Sequence, residues 1–240
     1  EPRFRVIGCD LWSDEPGFAA AAAATGVTGI CGSGIIEVVA EMRLAGLITP
    51  DGIVDGAMAA RTPRSEAEGR TFAFLLHDGE PRITVTQADI RAIQLAKAAL
   101  HAGIRLLMDA YGATTVDRIG LAGAFGSHID VKYAMVLGLV PDCPLDRIVS
   151  VGNAAGTGAR IALLDRKARA EIEEVVRRID KIETALEPAF QGHFVAAMAI
   201  PHKSDPYPHL EAALGLTFDR GPPPGDADGR GGERRRRRRE

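Results

Sequence analysis

The chain has 240 residues, 46% hydrophobic and 25% charged, the balance of a soluble globular protein and not of a disordered or fibrous one. At ~100–200 residues per domain this length means one or two domains, enough to bury a core without disulfide or metal staples. Net charge is −3, but residues 221–240 hold seven arginines against four acids, which leaves −6 on the rest and no broad basic face for nucleic acid.

Cys9, Cys31 and Cys143 lie far apart with no CxxC pair. That spacing excludes a zinc ribbon or a four-thiolate iron–sulfur cluster within this chain, and it suits a reducing cytoplasm. Residues 17–36 carry no charge, but five glycines and six alanines make them too weakly apolar and too turn-prone to span a bilayer. The chain opens Glu1-Pro2-Arg3 without a methionine, which reads as a processed chain or a piece of a longer one.

In chain order, Phe4 to Ile7 reads as a short strand and Leu11 to Gly26 as irregular or partly helical through its alanines. Gly32-Ser33-Gly34 opens an amphipathic helix with Ile35, Val38, Val39 and Met42 on one side and Gly46 as its stop. Residues 49–70, rich in Gly, Pro, Asp and Arg, read as a loop. Phe72 to Leu76 and Arg82 to Val85 read as strands around the turn His77-Asp78-Gly79-Glu80. Thr86 with Asp89 three residues on is a capping-box start. It predicts a helix of about seven turns ending at Gly112, with Ile90, Ile93, Leu100, Ile104, Leu107 and Tyr111 as its apolar stripe.

Strand and helix then alternate: strands at 118–122 and 147–151, helices at 131–139, 153–164 and 166–178, a possible strand at 181–186 and a closing helix at 188–198. This pattern predicts α/β layers. Residues 1–201 form the body, 202–220 an extended linker, and 221–240, almost without apolar residues, a disordered tail.

Three glycine clusters share one design, an extended segment followed by a small-residue turn and a helix start. They are Gly29-Ile30-Cys31-Gly32-Ser33-Gly34, Gly123-Ala124-Phe125-Gly126 and Gly152-Asn153-Ala154-Ala155-Gly156. Glycine lets a ligand approach the backbone, and free N–H groups at a helix N-terminus favour anions. Each cluster also reads as a tight turn with no ligand at all. None is a Walker A loop or a GxGxxG. Cys31 reads as a buried small hydrophobe that could, beside a helix start, have a lowered thiol pKa. The six histidines show no ligand spacing, so no metal site is expected. His128 reads as structural or exposed and Asp130 as a helix cap. No catalytic residue can be assigned.

The strings Thr28-Gly-Ile-Cys-Gly-Ser-Gly-Ile-Ile36, Ile83-Thr-Val-Thr-Gln87, Asp89 to Lys97, Leu121-Ala-Gly-Ala-Phe-Gly126, Val151 to Ala159 and Phe190-Gln191 with Phe194-Val195 together resemble the C-terminal ATPase domain of the reductive activators of corrinoid proteins. The resemblance runs from about Val27 to Pro201. It implies part of an actin-like (ASKHA), ribonuclease H-like nucleotide-binding fold that binds ATP with Mg. In that family ATP use is coupled to returning cob(II)amide to cob(I)amide on a corrinoid protein or cobalamin-dependent methyltransferase, and the activators resemble homodimers. A 2Fe-2S cluster is implied only for a ferredoxin domain that would precede this region. Gly123, Ala124, Phe125 and Gly126 match the adenosine motif; Gly32, Ser33, Gly34, Gly152 and Asn153 match further family glycine loops. The family's Asp-Ile-Gly-Thr strands, which cradle phosphate and metal, have no counterpart here. The rival readings are a non-catalytic actin-like interaction module and a small-molecule kinase relative of the same fold.

Overall fold

A computed structural model describes residues 1–123, 126 and 128–219. The chain divides into two compact units, Glu1–Ala92 and Ile93–Glu240.

In the first unit, helix α1 (Phe18–Ala22) uses the alanine run. Helix α2 (Gly32–Leu44) buries Ile36, Val39, Ala40 and Met42. Its turn-out is stabilised by an Ile48–Val54 bridge, and the Gln87 side chain braces that hairpin, donating to Gly52 O at 2.7 Å and accepting from Val54 N at 2.9 Å. Strands β1 (Ser65–Glu68), β2 (Thr71–His77) and β3 (Ile83–Val85) form an antiparallel sheet in that order, with Ala73, Phe74, Leu75 and Val85 inside.

Two expectations change here. The 49–70 segment is not all loop: it contains a 3-10 turn at Gly56–Ala60 and β1, which finds its pairing partner in β2. Phe4 to Ile7 is not a strand. It is held instead by Ser13, which donates its N–H to Phe4 O and accepts from Phe4 N at its Oγ, and by edge-on ring contacts of Phe4 with Phe18 and His77.

Helix α3 (Gln87–Tyr111) begins with the expected reciprocal cap: Thr86 N donates to Asp89 Oδ2 at 2.8 Å, and Asp89 N donates to Thr86 Oγ1 at 3.1 Å. It ends at Gly112, whose φ of 74° is the left-handed conformation that glycine adopts without cost. The apolar stripe is not the face that the fold buries. Leu100, Leu107 and Tyr111 are exposed, while Ile90, Gln94, Lys97, Ala98, His101, Ala102, Leu106 and Met108 are buried.

In the second unit, β4 (Ile119–Ala122) pairs in parallel with β5 (Ile148–Gly152). Between them, α4 (Val131–Leu137) is capped by Asp130 and buries Ala134, Met135, Val136 and Leu137. After β5 come α5 (Ala154–Leu164) and α6 (Arg166–Val176), then α7 (Phe190–Ala196); residues 181–186 form no strand. The segment expected to be an extended linker is folded. Helix α8 (Pro208–Leu214) packs near α4, with Tyr207, Leu210 and Phe218 buried. Asp142 fixes its start by accepting from His209 N and Leu210 N, both at 3.2 Å. Residues 221–240, expected to be disordered, lie outside the described residues.

Candidate functional site

The parallel pairing of β4 and β5 places two of the glycine turns side by side. Gly123 follows β4, Gly152 ends β5, and Gly123 N donates to Gly152 O at 2.8 Å. Both glycines have positive φ, 101° and 67°, and a side chain added at either would meet nothing within 4 Å. Left-handed backbone explains why glycine stands there; the open space beside both α-carbons is what a ligand lying against bare main chain requires. The carboxyl ends of parallel strands are where open α/β sheets bind ligands.

Asn153 stands next in the chain and caps α5, its Oδ1 accepting from Gly156 N at 2.9 Å. That bond commits one side-chain oxygen to the helix. The N–H groups of the first turn give the same end a partial positive charge. Gly126 is buried, and a Cβ there would sit 3.2 Å from the Leu121 carbonyl carbon. Its lack of a side chain therefore serves the chain's own packing first. Ala124 and Phe125 lie outside the described residues.

The remaining predicted loop, Gly32-Ser33-Gly34, belongs to the first unit and is described by itself. Cys31 is the N-cap of α2, its Sγ accepting from Gly34 N at 3.4 Å and lying 3.4 Å from Ser33 Oγ. Ser33 and Gly34 are thus engaged with the thiol. Cys31 itself is exposed, not the buried hydrophobe expected. The Ser33 hydroxyl, and then the Gly34 amide, hold its thiol pKa below the ordinary value by stabilising the thiolate. The cap position was the signal that could have shown this: a residue directly before a helix start points outward.

Neither the 123–126 turn nor the 152–158 turn carries a carboxylate. The site can hold an uncharged or anionic group against main chain, but it offers no acidic ligand for magnesium. An open hollow of about 540 Å³ lies elsewhere, lined by Leu107, Tyr111, Val116 and Arg118 among others. Arg118 immediately precedes β4, so the hollow is at the strand's opposite end from Gly123. Among the described residues, no helix is long and apolar enough to cross a membrane.

The family described as the C-terminal domain of RACo, the ASKHA domain, matches residues 1–211. The chain is similar to the corrinoid activation enzyme RamQ of Eubacterium limosum, 36% identical over 178 residues, covering 69% of this chain and 30% of that protein. It is also similar to the solved structure of a reductive activator for a corrinoid, iron-sulfur protein, at 36% identity and a TM-score of 0.64, covering 72% of this chain and 28% of that one. The chain therefore spans less than a third of the length of these relatives. A match over residues 1–211, together with an α/β architecture that sets paired glycine turns at the ends of parallel strands, shows that the chain belongs to the family of RACo C-terminal ASKHA domains.

Proposed function

We propose that this chain is the nucleotide-binding C-terminal part of an ATP-dependent reductive activator, which returns the cob(II)amide of a corrinoid protein or methyltransferase to cob(I)amide by delivery of one electron. The observation that carries the reading is the Gly123–Gly152 pairing, two left-handed glycines with open space over both, at the end of a parallel strand pair. Family membership and the likeness to a corrinoid activation enzyme and a reductive activator support the rest.

The chain's own residues account for part of that task. Gly123 and Gly152 would let the flat face of an adenosine lie on main chain, and the α5 N-terminus, held in place by Asn153, would attract the phosphate side. Phosphoryl chemistry also needs charge neutralisation and metal ligands aimed at the phosphates, and the two turns supply no carboxylate. Electron delivery needs a redox centre, which three dispersed cysteines do not build. These 240 residues alone are expected to bind ATP without hydrolysing it and without reducing a corrinoid.

The test is a substitution that adds a side chain without straining the backbone. Asparagine tolerates the left-handed region, so Gly152→Asn places an amide over the turn. It should weaken ATP binding at least tenfold by calorimetry while the melting temperature stays within a few degrees. Unchanged affinity would overturn the assignment of this turn. ATP turnover by the isolated chain would show that its own side chains complete the site.

A further inference from the structure

We infer that His101, His202 and Asp205 form a binding site for a divalent transition-metal cation of zinc-like preference. One ligand atom from each lies within 4.8 Å of the others. His101 sits on the buried face of α3, and the other two lie in the segment that leads into α8, all within the second unit.

His101 Nδ1 lies 3.1 Å from Gly138 O. A carbonyl can only accept, so Nδ1 carries a hydrogen and Nε2 points the other way. That nitrogen is buried and has no hydrogen-bond partner. It lies 3.7 Å from Asp205 Oδ2. A buried ring nitrogen and a carboxylate oxygen that face each other at this distance, with no hydrogen bond between them, leave room for a cation. The separation is well beyond the ~2.7–2.9 Å of a charge-assisted N–H···O bond. It is close to the ~3.4 Å edge of a tetrahedron built at zinc–nitrogen and zinc–oxygen bond lengths. His202 Nδ1 stands at a similar 3.6 Å from Asp205 Oδ1.

His202 Nδ1 accepts from Asp205 N at 2.9 Å and from Ser204 N at 3.3 Å, so this nitrogen carries no hydrogen. A neutral imidazole is the form a metal binds. The Gly138 bond to the far side of the His101 ring is the outer-shell contact that fixes tautomer and orientation in metal-ligating histidines. Asp205, partly exposed, gives the site its opening to solvent.

Three features set the strength. Arg105 Nε is 4.0 Å from the same Asp205 oxygen and competes for it, and the buried Lys97 lies close enough to act on His202 electrostatically. His202 also gives up two main-chain bonds, from Ser204 N and Asp205 N, on coordinating through Nδ1. The site therefore binds weakly enough for its metal to be removed by a chelator. The ligands come from positions 101, 202 and 205, which is why no ligand spacing marks the site in the sequence.

The experiment uses the 240-residue chain carrying Cys31→Ser, because an exposed thiol binds zinc on its own, treated with chelator and then titrated with Zn²⁺ by calorimetry and with Co²⁺ by visible spectroscopy. One equivalent of Zn²⁺ should bind, Co²⁺ should give d–d bands of nitrogen and oxygen ligation, and both should raise the melting temperature. Asp205→Asn and His202→Gln should each weaken binding at least tenfold. His209→Ala, which removes a separate histidine–aspartate pair, should leave the stoichiometry unchanged. No uptake, or uptake that survives Asp205→Asn and His202→Gln, overturns the proposal and leaves a proton as the cation between His101 and Asp205. Asp205→Asn keeps the shape of a partly exposed side chain, so the test does not depend on the buried His101.

Discussion

Two helices of the second unit, seventeen residues apart in the chain, are packed very differently. Four of the seven residues of α4 are buried, and around it Lys97, His101, Tyr207 and Leu210 are almost wholly enclosed. No residue of α5 is buried, nor of α6, and Leu163 and Leu164 are 76% and 80% exposed. The α4 region is held by polar groups that have found partners. Lys97 donates to Ala199 O and, at 2.7 Å, to Pro201 O; Tyr207 donates to Val140 O at 3.1 Å. The α5 region is held by one two-stranded pairing and its caps. The candidate nucleotide turns therefore stand on the less enclosed part of the unit. Mobile elements that bind ligands are drawn from the low-stability end of a structure.

Removing the lysine is the strongest way to break this contrast. Lys97→Met keeps the aliphatic stem but leaves two buried carbonyls without their donor. At about 1–3 kcal/mol for each, it should cost about 2–6 kcal/mol of unfolding free energy in denaturant melts. The same residue gives a pH signature. Burial lowers its pKa from 10.5 to about 7. Between those values the unfolded chain binds more protons than the folded one, so stability rises with pH across that window and is flat below it. In Lys97→Met the rise should vanish. A rise that persists in the variant would assign it to another group.

A matched pair of leucines sharpens the comparison. Leu210→Ala, in the buried face of α8, should cost about 2–5 kcal/mol. Leu164→Ala, on the surface of α5, should change stability by less than about 0.5 kcal/mol. Equal costs would mean that the surface of α5 is covered in solution. Hydrogen exchange reads the same contrast without mutation: α4 amides should exchange more slowly than those of α5 and α6.

The smallest effect belongs to the first unit, where order is local. Ser33→Ala removes the hydroxyl that stabilises the Cys31 thiolate and should move the midpoint of alkylation against pH upward, toward an ordinary thiol. An unmoved midpoint would leave the Gly34 amide as the cause.

Much of this architecture was legible in the sequence because its signals are local. The Thr86–Asp89 cap, the Gly112 stop and the Asp130 cap each act over a few residues, and each stands in the structure. The α3 stripe was misread because apolar spacing selects one face and burial selected another. Ile90, Gln94, Lys97 and His101 follow the same helical spacing, but three of the four are polar. Their partners lie far off, at Met198, Ala199, Pro201 and Gly138. No window along the chain can show that a lysine will meet two carbonyls more than a hundred residues away. The 202–220 segment was misread for a related reason: the three apolar residues it buries, Tyr207, Leu210 and Phe218, stand among polar residues and glycine and dock on chain far away in sequence. Of the candidate site, the glycine turns themselves were legible. That the second and third turns touch was not, since it depends on strand order.

That touch has a mechanical meaning. The bond from Gly123 to Gly152 acts as a pin through two loops, and the second loop runs directly into α5, an eleven-residue rod about 16 Å long. Anything seated on either turn is thereby tied to the base of a rod whose far end, Leu164, is bare and apolar.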